Sequence, residues 1–196
     1  MRPVTAPTLP LGDDELIARA RRGDRPALEE VFRRYRDPAY RVAYRLLGNT
    51  EDALDAVQDG FIKAIRKLSS FENRCSFKTW LLRVVSNAAL DLGRQRRRRD
   101  DLTAVATERV MLDGGTTPEH ADPAREAEES DLRRALYEAL MLLPEAQRQT
   151  FVLHVDGGLS YREVADTMGI SIGTVMSRLF YARQKLKGLL AARVQA

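Results

Sequence analysis

The stretch SYREVADTMGISIGTVMSRLFYARQKL, residues 160–186, reads as two helices joined by a tight turn. Ser160 and Glu163 have the Ser-x-x-Glu spacing of a capping box, in which each side chain takes an amide of the other's residue and so fixes a helix start. Ala165 is small, as needed where two helices cross closely, and Gly169 can enter the left-handed region that ends the first helix. Ser171 is placed to cap the second helix, whose Ile172, Val175, Leu179, Ala182 and Leu186 recur as one buried stripe. Thr174, Met176, Ser177, Arg178, Phe180, Tyr181, Arg183, Gln184 and Lys185 remain outside it or at its flanks. Hydrogen-bonding and apolar groups in the first half of such a helix suit base edges in a DNA groove, and cations along its sides suit phosphates. The pattern is a helix-turn-helix, with a helical hairpin packed on a protein partner as the competing interpretation.

Working back from that motif, helical period runs through Leu132, Leu136, Leu140 and Leu143, and Pro144 suits the start of a further helix. Before it, residues 100–130 contain Gly114-Gly115, Thr116-Thr117 and two prolines, a composition expected of a flexible linker. Residues 100–131 hold ten acids against two bases, so within a chain of net charge +4 the remainder carries +12. A cationic body joined through an acidic strip fits a nucleic-acid binder.

With 196 residues, 44% hydrophobic and 31% charged, the chain has room for two small domains. No apolar run approaches the roughly 18 residues of a spanning helix, and residues 1–10 lack the apolar stretch of a secretory signal, so no membrane insertion and a cytoplasmic location are expected. Cys75 is the single cysteine and excludes an internal disulfide; with His120 and His154 it falls short of a closed zinc site, and no metal or cofactor is expected.

The segment from 11 to 99 is helical by period, with apolar groups at Leu28, Val31, Phe32 and Tyr35 and no alternating β-branched runs. Pro26 and Pro38 are expected at helix starts and Gly48 at a helix stop. In EDALDAVQDGFIKAIRKL, residues 51–68, Leu54, Val57, Phe61, Ile65 and Leu68 predict one apolar stripe, with Asp52, Asp55, Gln58 and Asp59 on another face. A row of acids on a basic protein suits either a basic protein partner or plain solvent. In FENRCSFKTWLLRVVSNAALDLGRQRRRR, residues 71–99, a polar loop from Glu72 to Ser76 lies between Phe71 and Phe77. A helix follows, with Trp80, Leu81, Val84, Val85, Ala88 and Leu92 as apolar positions. Asn87 and Asp91 share one of its faces, and Arg94 and Arg96 to Arg99 form a cationic end. Aromatics beside such a loop can hold unstacked bases, or can simply be core.

The three stretches 51–64, 71–99 and 159–183, taken in this order, resemble the extracytoplasmic-function (ECF) group of bacterial sigma factors, which keep only the second and fourth conserved regions of the sigma superfamily. The resemblance covers about residues 11–190 and implies an all-α fold of two small helical domains on a flexible acidic linker. In that scheme residues 1–10 are a flexible lead and 11–99 a region 2 domain; 100–130 are the linker and 131–196 a region 4 helix-turn-helix domain. It implies a non-enzymatic initiation factor that binds core RNA polymerase, directs it to promoter DNA and joins the nucleoid in the holoenzyme.

By the same resemblance Asp52, Asp55, Gln58 and Asp59 would dock on the clamp helices of the largest polymerase subunit, and helices around Pro144 to Val155 would meet the flap of the second-largest. Phe71, Glu72, Asn73, Arg74, Cys75, Ser76, Trp80, Val84, Asn87 and Asp91 would receive the −10 element with a flipped base, and Arg94, Arg97 and Arg98 its backbone. Thr174, Met176, Ser177, Arg178, Phe180, Tyr181 and Arg183 would meet the −35 element. An anti-sigma factor is a further implied partner. The chain departs from the pattern at Met176 and Tyr181, where many relatives carry cations; at Leu54, where Glu is common; and at Gly60, where a larger residue stands. Without cations at 176 and 181 a bidentate guanine contact from either is impossible, and apolar contact to thymine methyls is expected instead. A stand-alone helix-turn-helix regulator is the alternative, and it leaves the acidic helix and the loop after Phe71 without a purpose.

Overall fold

Capping residues divide the first half of the chain into helices. In a computed structural model, which describes residues 12–72, 74–103, 132 and 134–194 (backbone alone at 100–103 and 192–194), α1 spans Asp13–Arg21 and α2 spans Arg25–Leu47. The Asp24 side chain accepts from the Ala27 amide at 3.2 Å and Pro26 occupies the first turn, where a missing amide proton is harmless. Gly48 ends α2 in the left-handed region at φ 81° and leads into Asn49, whose side chain accepts from the Asp52 amide at 2.8 Å and starts α3, Thr50–Lys67. A short 3-10 turn, Leu68–Ser70, leads to the loop after Phe71, and α4 covers Phe77–Thr103.

The structure corrects several sequence expectations, two of them in this half. Pro38 does not open a helix: α2 runs through it unbroken. An interior proline removes one helical hydrogen bond, at roughly 3 kcal/mol, but Tyr35, Ala39, Val42 and Ala43 are buried on either side and hold the helix in place. The α3 stripe is also turned from its expected position. Phe61 and Leu68 are buried, but Leu54 and Ile65 are exposed, and the face packed inward is Ala53, Ala56, Gly60, Phe61 and Ala64. The reason is close helix approach: a Cβ at Gly60 would stand 2.7 Å from Val85 Cγ2 on α4, so small residues, rather than the large ones, define the contact. The departure at Gly60 thus has a packing role.

α2, α3 and α4 pack pairwise with α1 laid on α2, around Leu16, Val31, Val42, Leu46, Leu81 and Val85. In the second half a helix over residues 134–141, α5, is followed by α6, Glu145–Val155, with Pro144 at its cap. α7 spans Tyr161–Met168 and α8 Ile172–Val194. α6, α7 and α8 pack on one another, and a small cluster of Ala139, Leu140, Leu143, Ala182 and Leu186 ties α5 to α8. Leu132, expected in the periodic stripe, is exposed. Among the described residues there is no β-strand and no helix long and apolar enough to cross a membrane. The sequence places its linker over 100–130; α4 continues past Arg99 to Thr103, and the remaining linker positions lie outside the described residues.

The halves touch. α6 lies against α2 and α4, and α7 against α4, so Val152, Leu153, Leu159, Val164 and Leu179 join the same buried cluster as Leu82 and Val85. Close backbone approach permits this: a Cβ at Gly48 would fall 2.2 Å from the Tyr137 ring, whose hydroxyl donates to the Leu47 carbonyl at 2.8 Å.

Candidate nucleic-acid and partner interfaces

The helix-turn-helix forms as its sequence requires. The Glu163 amide donates to Ser160 Oγ at 3.3 Å and the Ser160 amide donates to Glu163 Oε2 at 2.9 Å, completing the capping box. Gly169 turns the chain at φ 65°, and the Thr174 amide donates to Ser171 Oγ at 3.0 Å to start α8. Val175, Leu179, Ala182 and Leu186 are buried as expected. Ile172 is not: as the first residue of α8 it stands ahead of the buried stripe, which begins a turn later, and it is exposed.

The outer face is apolar at its centre. Met176, Phe180 and Tyr181 are 54%, 54% and 58% exposed, and the Phe180 and Tyr181 rings meet edge-on at 5.5 Å. Ser177 is exposed, yet its hydroxyl donates to the Thr174 carbonyl at 3.0 Å; Thr174 is half-buried and its hydroxyl pairs with Ser171 at 2.8 Å. Their hydroxyls are therefore partly committed within the helix, which leaves the apolar trio, flanked by the cations Arg178 and Arg183, as the groups this face presents outward. A groove of about 390 Å³ beside them is lined by Tyr161, Met176, Phe180 and Arg183. Tyr161 is not among the residues the sequence singles out; its signal is an aromatic directly after a capping serine, and it packs edge-on against His154 at 4.9 Å.

On the first domain, Phe71 is only 5% exposed and its ring meets Phe77 at 5.8 Å and Trp80 at 5.1 Å. It anchors the loop rather than facing solvent, while Trp80 and Val84 are half-buried. Glu72 and Arg74 are exposed and paired at 2.6 Å, and Asn73 lies outside the described residues. Ser76 Oγ accepts from the Thr79 amide at 3.1 Å and caps α4. Burial, and then the charge of Asp166, push the half-buried Cys75 thiol up from its ordinary value, which disfavours a reactive thiolate. Asn87 and Asp91 are exposed, as are Arg94, Arg97 and Arg98 at the end of α4.

The second domain reaches this face through a few polar contacts. Gln149 Nε2 on α6 donates to Asn87 Oδ1 at 3.1 Å and to Ser86 Oγ at 3.2 Å. The Thr79 hydroxyl donates to Glu163 Oε1 at 2.8 Å, and Arg94 spans Asp91 at 2.5 Å and Glu145 at 2.8 Å. Burial raises the Glu163 carboxyl, but the Ser160 amide and hydroxyl, the Thr79 hydroxyl and the Lys78 charge outweigh it and hold the group below its ordinary value. None of the joint-forming roles of Thr79, Gln149 and Glu163 is legible in the sequence, where all three look like surface.

Arg45 Nε donates to Asp156 Oδ1 at 3.1 Å, across the joint, with the aspartate side chain 11% exposed. Arg45→Ala leaves that carboxylate unpaired and disfavours the closed arrangement by about 1–2 kcal/mol, allowing for remaining solvent. The open fraction then rises roughly tenfold, measurable as lower energy transfer between dyes placed one on each domain. Unchanged transfer would remove this pair from the joint.

On α3, Asp55, Gln58 and Asp59 are exposed alongside Leu54 and Ile62, and Asp59 pairs with Lys63 at 2.6 Å. Asp52 does not join this row. It is half-buried, accepts from Asn49 Nδ2 at 2.7 Å and pairs with Arg96 of α4. The exposed row on α3 is therefore Leu54, Asp55, Gln58, Asp59 and Ile62, acids and an amide interleaved with two apolar side chains.

Comparison with known proteins follows the same division. A sigma-70 region 2 family matches residues 31–99 and a sigma-70 region 4 family matches residues 133–186. An ECF RNA polymerase sigma-E factor of Haemophilus influenzae is 34% identical over 90% of this chain and 94% of its own. ECF RNA polymerase sigma factor SigE of Mycolicibacterium smegmatis is 36% identical over 85% of this chain, which spans 62% of that longer protein. Among solved structures, the sigma factor RpoE in complex with the anti-sigma factor NepR from Bartonella quintana has a TM-score of 0.64 and 27% identity, over 83% of this chain and 96% of its own.

Proposed function

The chain belongs to the ECF family of RNA polymerase sigma factors, and on that premise we propose how its surfaces divide the work of promoter-specific initiation. It binds core RNA polymerase and directs it to promoters. The exposed α3 row of Leu54, Asp55, Gln58, Asp59 and Ile62 meets the basic clamp helices of the largest subunit, where opposite potentials steer docking and set register. The α6 region meets the flap. Residues of the loop 72–76, with Trp80, Val84, Asn87 and Asp91, receive the −10 element as its strands part, Phe71 holding that loop from beneath. Arg94, Arg97 and Arg98 take backbone phosphates, and α8 reads the −35 duplex. Trapping a flipped base offsets an unstacking cost of a few kcal/mol by binding alone, so covalent chemistry is left to the polymerase. The chain acts in the cytoplasm, associates with the nucleoid within the holoenzyme, and has an anti-sigma factor as a further partner.

The observation that carries this reading is the presence on one chain of an outward acidic-apolar row on α3 and an outward apolar-cationic face on α8. A stand-alone regulator has no use for the first. Run-off transcription with purified core polymerase is the test: the chain should confer initiation from a defined set of promoters and bind duplex DNA weakly alone. Tight, specific duplex binding without polymerase, together with no initiation when core is added, would favour the stand-alone regulator.

A further inference from the structure

Between the two domains lies a cavity of about 390 Å³ walled by the end of α2, the start of α3, by α4, by α5 and by the start of α6. Arg94, Arg96 and Arg97 line it from α4 and Arg148 from α6. Two of these charges are answered: Arg94 pairs with Glu145 at 2.8 Å, and Arg96 pairs with Asp52. Glu138, the third acid on the wall, has an interaction of its own. Among the described residues Arg97 has one hydrogen-bond acceptor, the Met141 sulfur at 3.9 Å. Arg148 is 3% exposed and its Nε, fully buried, has no hydrogen-bond partner among the described residues.

A guanidinium cannot shed its proton to escape such a site, so the penalty of burying it stands until an acceptor arrives. Burial, and then the charge of Arg97, lower the Arg148 group from its ordinary value, and the opposing charge of Glu145 does not outweigh them. Guanidinium forks match the oxygens of a tetrahedral oxyanion in pairs, and one phosphate offers enough oxygens for two forks. Leu46, Leu47 and Tyr137 leave an apolar remainder of the cavity beside them, large enough for more than a bare phosphate.

We infer that this cavity is a binding site for a small phosphate-bearing anion, held by Arg148 of the second domain and Arg97 of the first. Because its walls come from both halves, the bound anion bridges the joint and favours the closed arrangement. The chemistry is shared by free phosphate and by the terminal phosphates of a nucleotide.

The test is calorimetric titration of the full chain with inorganic phosphate and, separately, with a nucleoside 5′-diphosphate, at constant ionic strength held with sodium chloride. It needs neither polymerase nor promoter, so its failure leaves the initiation reading untouched. One-to-one binding is expected, weakened at least about tenfold in Arg148→Met, because removing one charge-assisted hydrogen bond to the anion has an effect of that size. Arg97 is exposed, so Arg97→Gln retains the fold and should weaken binding severalfold. Tighter binding of the diphosphate assigns the site to nucleotides; equal binding assigns it to free phosphate. No binding of either by the parent chain, or equal affinity in the parent and Arg97→Gln chains, overturns the assignment.

Discussion

Asp55→Lys combined with Asp59→Lys should lower affinity for core RNA polymerase about a hundredfold or more and leave the melting temperature within a few degrees of the parent. Both side chains are exposed, so neither supports the interior. The bond between Asp59 and Lys63 is a solvent-exposed i,i+4 pair, of a kind that contributes at most a few tenths of a kcal/mol. Against a basic partner surface each reversal replaces attraction by repulsion. Taking only the lower end of measured interfacial charge couplings, about 1.5 kcal/mol each, the two together exceed a hundredfold. Added salt should also weaken binding less in this variant than in the parent, because at these positions it now screens repulsion instead of attraction. Titration of labelled core enzyme against both chains gives the answer, with Glu29→Lys, an exposed acid on α2, as the charge control. Equal affinities would detach α3 from polymerase docking. Asp52 offers a contrast: because it pairs with Arg96 and Asn49, its loss should loosen the α3–α4 contact as well.

That contrast shows where sequence reading succeeds and where it stops. Local chemistry is legible: Ser160 and Ser171 each cap the helix that follows them, and Gly48 and Gly169 take the left-handed turns that a side chain resists. Period alone fails on α3, because it assigns the large apolar residues to the core. The interior contact is made instead by Ala53, Ala56, Gly60 and Ala64, whose smallness is informative only once α4 is known to lie against them. Leu54 is thereby released to the surface, where an apolar residue among acids suits an interface better than solvent. Pro38 misleads for a related reason: its local preference is a helix start, and flanking burial overrides it. The joint between the halves is invisible in sequence, since Thr79, Gln149 and Glu163 are polar residues that could face water equally well.

Removing the apolar trio of α8, as Met176→Ala, Phe180→Ala and Tyr181→Ala together, should reduce −35-dependent initiation about a hundredfold while barely changing its salt dependence. Each side chain is more than half exposed, and covering that surface against base edges and thymine methyls is worth about 1 kcal/mol apiece by area. Three such increments give roughly a hundredfold, and because no cation is removed, the number of displaced counterions stays the same. Arg183→Ala should behave in the opposite way, weakening all promoters alike and reducing the salt slope by about one if the cation lies on a phosphate. The two variants thus separate reading from gripping on a single helix. Initiation rates at promoters with the native and a scrambled −35 element, measured across a salt series, distinguish them. If the triple variant keeps its preference for the native element, α8 reads with its polar flank instead, and Thr174, Ser177 and Arg178 become the groups that discriminate between bases. The intrahelical bonds of Thr174 and Ser177 argue against that outcome, because a hydroxyl already engaged within the helix has less to offer a base edge.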